Sequence, residues 1–159
     1  TGMWLACNAP ERFKKIILAN TGARIGTQDI WNARITTVLD KGMKALVDAT
    51  IERWFSKKFR EAKSPIIGKV RQMLLTTPKH GYAGCSAALR DADFRWSIGG
   101  VKLPTLVITG SLDPATPPEG GEFIAQRIPR AKLVSLEAAH LSNLEKSEQF
   151  TREVQSFLG

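Results

Sequence analysis

The chain has 159 residues, 43% hydrophobic and 24% charged, which is enough apolar material for a packed core and too much for a disordered segment. Its 23 Lys and Arg against 15 Asp and Glu leave a formal charge of +8. The cations are scattered as Lys14 and Lys15, Lys57 and Lys58, Arg127 and Arg130, without the basic stripe and interleaved aromatics of a nucleic-acid surface, and no apolar run approaches the roughly 20 residues of a membrane-spanning helix.

No nucleic-acid or membrane partner is therefore expected, and the charge reads as solvated helix faces with some attraction for anions. Cys7 and Cys85 show no metal-ligand spacing, and one pair is weak ground for a disulfide framework. Both read as buried or half-buried free thiols in a reducing, cytoplasmic compartment.

Residues 2 to 9 have helical composition and stop at Pro10, which cannot continue a helix. Lys15-Ile16-Ile17-Leu18-Ala19-Asn20 is a short apolar run closed by turn residues, as in a parallel strand covered on both faces. From Ala23 to Gly100 the pattern turns helical. Thr27 can cap a helix that carries Asp29 in its first turn and Trp31, Ile35 and Val38 along one side. After Asp40-Lys41-Gly42, a second stripe runs through Met43, Leu46, Val47, Thr50, Ile51 and Trp54. Ser64-Pro65 opens a third helix with Ile66, Ile67, Val70, Met73 and Leu74, and Thr77-Pro78 ends it. A fourth, weaker helix spans about Gly81 to Arg90.

Alternation then returns. Residues 103 to 109 read as a strand, and residues 118 to 128 as a helix with Phe123, Ile124 and Ile128 on one face. Residues 132 to 136 form another strand. Residues 147 to 158 form a closing helix with Phe150, Val154, Phe157 and Leu158 inward. This order predicts an α/β fold of parallel strands with flanking helices. Residues 1–22 and 101–159 would make a partial α/β core, and residues 23–100 an all-helical cap inserted over the carboxyl edge of the sheet.

Asp113 and His140 carry the chemistry. Alone, Asp113 before Pro114 reads as a turn residue, and His140 after Ala138-Ala139 as a packed or surface side chain. Together they follow two apolar strands in the order acid, then histidine, with one helix between. An acid so placed can hold an imidazole in one tautomer while the imidazole moves a proton to and from a nucleophile. The nucleophile itself is not found. No serine sits in Gly-x-Ser-x-Gly, the strand-to-helix elbow pattern. Gly84-Cys85-Ser86-Ala87 imitates it without the second glycine or a preceding strand, which disfavours Cys85. The elbow is expected just before Thr1.

The sequence resembles the C-terminal part of the 3-oxoadipate enol-lactonases, α/β hydrolases of bacterial aromatic catabolism in the β-ketoadipate pathway. The matching stretches include Gly2-Met3-Trp4-Leu5-Ala6, Asn8-Ala9-Pro10-Glu11-Arg12-Phe13, Glu52-Arg53-Trp54-Phe55, Asp113-Pro114-Ala115-Thr116-Pro117-Pro118 and Ala138-Ala139-His140-Leu141-Ser142-Asn143-Leu144-Glu145.

The resemblance implies Asp113 and His140 as triad acid and base. It also implies a serine, oxyanion-hole donors and first strands lying outside this chain, so that the chain alone would be inactive. It implies a small anionic lactone as substrate and a reaction that needs no metal or organic cofactor, with Trp31 and Trp54 as apolar walls against the competing reading of plain core packing. A cation from Arg24, Arg34, Arg53 or Arg90, left open among the four, would meet the substrate carboxylate. The expected partner of the open strand at 15 to 20 is the missing N-terminal part of the same fold or a self-associating copy. Two alternatives stand beside this reading: another α/β hydrolase, such as an esterase or non-haem haloperoxidase, and a truncated, non-catalytic binding module.

Overall fold

The structure, a computed structural model, describes residues 1–159 and divides them into two compact units. The first comprises Thr1–Arg24 and Asp93–Gly159, the second Ile25–Ala92.

The first unit is built on three parallel strands, β1 (Ile16–Ala19), β2 (Thr105–Gly110) and β3 (Lys132–Leu136), in the order β1-β2-β3. Ala19 pairs with Ile108, and Gly110 with Leu136, so the three strands end nearly level. β2 is buried along its whole length, and its alternation sorts the core into two faces. Val107 packs with Met3, Ala6, Leu18, Ile98, Ile124 and Ile128. Leu106 and Ile108 pack with Leu136 and Ala138, against Phe150, Val154 and Phe157.

Helices α1 (Gly2–Asn8) and α7 (Pro118–Arg127) contribute to the first face. Helix α9 (Ser147–Leu158) contributes Phe150, Val154 and Phe157 to the second, a spacing of four and three that places them on one helical stripe. Leu158, expected inward, is 53% exposed, because the stripe ends one residue earlier. Short α8 (Ser142–Glu145) precedes α9 and was not anticipated.

The second unit is all helix. It comprises α2 (Gln28–Lys41), α3 (Lys44–Trp54), α4 (Lys57–Glu61), α5 (Pro65–Thr76) and α6 (Lys79–Asp91). Thr27 caps α2 by accepting from the Ile30 amide at 3.3 Å. Val38, Val47, Ile51, Phe55, Val70 and Leu74 are buried. The short α4 was missed in the sequence. Ser56 caps it by accepting from the Phe59 amide at 3.3 Å, and Phe59 stacks on buried Phe55 with centroids 5.4 Å apart. Met73, expected in the α5 stripe, is 61% exposed, since the buried face runs through Val70 and Leu74. Ser64 stands at the N-cap of α5 without a side-chain cap bond.

The boundaries between the units differ from the expected 23 and 100. Ala23 and Ile98 lie in the core of the strand-bearing unit, the Phe94 amide donates to the Ala23 carbonyl at 2.8 Å, and Arg24 pairs with Asp93 at 3.4 Å. These contacts close the strand-bearing unit across the point where the helical segment leaves it. No helix is long and apolar enough to cross a membrane. Cys7 and Cys85 are free, and Cys85 is exposed on α6 rather than half-buried.

Candidate active site

The loops after β2 and β3 are stitched together by main-chain bonds. Ser111 donates to the Leu136 carbonyl at 2.8 Å, and Leu112 to the Ala138 carbonyl at 3.0 Å. Gly110 permits this approach, because a Cβ there would lie 2.4 Å from the Ala138 oxygen and 2.6 Å from the Ala139 oxygen. Each loop then delivers one titratable side chain. His140 Nδ1 and Asp113 Oδ2 are 2.9 Å apart.

Asp113 is only 3% exposed, and its carboxylate is fully ligated by donors. Oδ1 accepts from the amides of Ala115 at 2.8 Å and Thr116 at 3.0 Å. Oδ2 accepts from the Thr116 hydroxyl at 2.8 Å and from Asn20 Nδ2 at 3.1 Å, besides meeting His140. Burial pushes the Asp113 pKa up, but the hydrogen bond from His140, the Thr116 amide, the His140 charge and the Thr116 hydroxyl together outweigh it. The net shift is downward. Asp113 is therefore an anion that requires a donor from the ring. That fixes the imidazole with its proton on Nδ1 and its lone pair on Nε2. Thr116 Oγ1 also lies 3.1 Å from His140 Nδ1, bracing the ring from a second side.

Asn20 ties this pair to β1. It ends that strand at φ 46°, a left-handed conformation that asparagine tolerates better than most residues. From there Nδ2 donates to Asp113 and to the Ala139 carbonyl at 3.2 Å, while Oδ1 accepts from the Ser142 hydroxyl at 2.5 Å. Ser142 has no exposed surface. The Ala139 amide donates to Glu145 Oε1 at 3.3 Å. Asn20, Thr116 and Ser142 were not singled out for chemistry in the sequence. The available signal was Asn20 at a strand's carboxyl end, the same kind of position as Asp113 and His140.

Trp31 and Trp54 both lie in the helical unit, half-buried on α2 and at the end of α3. Trp31 Nε1 donates to the Ile25 carbonyl at 2.6 Å, and its ring carries the Arg34 guanidinium 5.6 Å from the centroid. No three His, Cys, Asp or Glu side chains are grouped to hold a metal. Cys85 sits within α6, where a strand-to-helix elbow has no place.

Residues 79–159 match a family described as "TAP-like protein". Along 158 residues the chain is 40% identical to 3-oxoadipate enol-lactonase 1 and 37% identical to 3-oxoadipate enol-lactonase 2, both from Acinetobacter baylyi. Each alignment covers 99% of this chain and 59% of the relative. The crystal structure of the enol-lactonase from Burkholderia xenovorans LB400 superposes with a TM-score of 0.97 at 39% identity, over 99% of this chain and 61% of that one. The chain thus spans about three fifths of the length of these relatives.

Proposed function

The chain belongs to the α/β-hydrolase family, and from that premise we propose that Asp113 and His140 are the acid and base of a serine-type ester hydrolase. Its substrate is a small enol-lactone that bears a carboxylate, such as 3-oxoadipate enol-lactone. The nucleophilic serine is contributed by sequence outside these residues. The observation that supports the reading is the 2.9 Å contact between His140 Nδ1 and a buried Asp113, at the carboxyl ends of adjacent parallel strands.

In this reading, His140 Nε2 takes the serine proton as the serine oxygen adds to the lactone carbonyl. The tetrahedral adduct collapses, the ring C–O bond breaks, and the imidazolium returns its proton to the departing enol oxygen. The enol becomes the ketone by moving that proton to carbon. A water molecule then gives its proton to His140 and adds to the acyl-serine. Release of the acid restores the serine hydroxyl. Asp113 stabilises the imidazolium in both halves and remains ionised throughout, as its lowered pKa favours.

The test uses the encoded protein together with whatever sequence precedes Thr1, following loss of the enol-lactone's ultraviolet absorbance. His140→Gln is expected to lower kcat by about a thousandfold or more with little change in KM. Activity within about tenfold of the parent would remove His140 from the reaction.

A further inference from the structure

Two of the four arginines considered in the sequence have no carboxylate to balance them. Arg24 is paired with Asp93, as described. Arg90 grips Asp91 with bonds of 2.8 and 3.0 Å and donates to Asn32 at 3.0 Å. Arg34 and Arg53 stand in no ion pair. Arg34, on α2, donates through Nη1 to the Tyr82 hydroxyl of α6 at 2.9 Å and lies over the Trp31 ring. Arg53, in the last turn of α3, has no protein hydrogen-bond acceptor.

Both arginines are half-buried. Burial holds the Arg53 pKa below its ordinary value, and the neighbouring Arg34 charge pushes it the same way against Tyr82. Helix α2 packs against both α3 and α6, so Arg34, Arg53 and Tyr82 come from neighbouring elements, and two partly desolvated like charges there are unfavourable without an anion. The Tyr82 oxygen accepts from Arg34, and its own O–H has no protein acceptor. The Trp31 N–H is engaged by Ile25, so the indole meets the Arg34 guanidinium with its ring face rather than with its donor.

We propose that Arg34, Arg53 and Tyr82, backed by Trp31, form a binding site for the carboxylate of a small organic acid. Guanidinium forks match a planar carboxylate through paired N–H donors. Identifying the bound carboxylate with that of the enol-lactone rests on the proposed function; the existence of the site does not.

The test titrates the encoded protein with adipate at low ionic strength, read by tryptophan fluorescence and calorimetry. Arg53→Gln is expected to weaken adipate binding about ten- to a hundredfold, and Arg34→Gln similarly. Arg53→Lys should retain part of the affinity, and uncharged dimethyl adipate and inorganic phosphate should bind more weakly than adipate. The Arg53 guanidinium donates to no protein acceptor, so an unchanged circular dichroism spectrum is expected for Arg53→Gln and separates lost binding from lost folding.

Adipate that fails to bind, or binds Arg53→Gln unchanged, overturns the site, as does phosphate or the diester binding as well as adipate. With the enol-lactone, Arg53→Gln should raise KM and leave kcat nearly unchanged; an unaffected KM overturns the identification of the bound carboxylate with that of the lactone. Arg53-dependent adipate binding in a protein that does not turn over the lactone overturns the reaction and keeps the site.

Discussion

Asn20 makes contacts that no substitute reproduces. Its amide donates to the Asp113 carboxylate and the Ala139 carbonyl and accepts from buried Ser142. Asn20→Ala removes a bond to a charged group and leaves the Ser142 hydroxyl without its acceptor, so a loss of about 2–4 kcal/mol is expected near neutral pH. The pH dependence has a definite sign. The folded-state pKa of Asp113 is depressed, so its contribution to stability is fully present above the unfolded value of about 3.9. It is lost as pH falls through the folded value. Removing one donor raises that folded value. Urea unfolding from pH 7 down to pH 3 should therefore show the gap between the parent and Asn20→Ala narrowing below about pH 4. A gap that stays constant would mean that Asn20 acts on the fold without acting on the carboxylate.

The strands depend on close approaches that glycine alone permits. Gly110→Ala would drive a Cβ to 2.4 Å from the Ala138 oxygen, a main-chain atom that cannot rotate away, so the loops carrying Asp113 and His140 must part. We expect a loss of about 3 kcal/mol or more in urea unfolding, together with loss of the downfield imidazole proton signal that a histidine–carboxylate bond gives. Gly68 is the control. It lies exposed within α5, and a Cβ there meets nothing within 4 Å. Gly68→Ala should stabilise by about 0.5–1 kcal/mol. The longer elements were readable because periodicity reports burial directly: β3 runs from Lys132 to Leu136 as expected, and the stripe Phe150, Val154, Phe157 packs as the spacing implies. Helices α4 and α8 were not, because four or five residues are too few for a period to show. The bonds of Asn20 were hidden for another reason. Its partners Asp113 and Ser142 lie 93 and 122 positions along the chain, and only the parallel register brings them to one end of the sheet.

The sheet poses the question that belongs to the chain entire. β1 pairs with β2 alone, so its other edge presents main-chain donors and acceptors beside the side chains of Ile16 and Ile17, both only half-buried. Such an edge is a template for another strand. The relatives are longer than this chain, which covers 59% of their length, and in the proposed reading a strand from sequence outside these residues meets that need, as the serine does. One pair of measurements on residues 1–159 follows. Sedimentation should show self-association that deepens with concentration, and a serine-reactive fluorophosphonate should leave the chain unlabelled, because His140 and Asp113 have no elbow serine to activate. Supplying the preceding sequence, fused or as a separate chain, should give a species of defined mass that labels once, with labelling lost in His140→Gln. A stable monomer of residues 1–159 would show that β1 needs no partner. Labelling of that monomer would place the nucleophile within this chain, and the proposed serine outside it would fall.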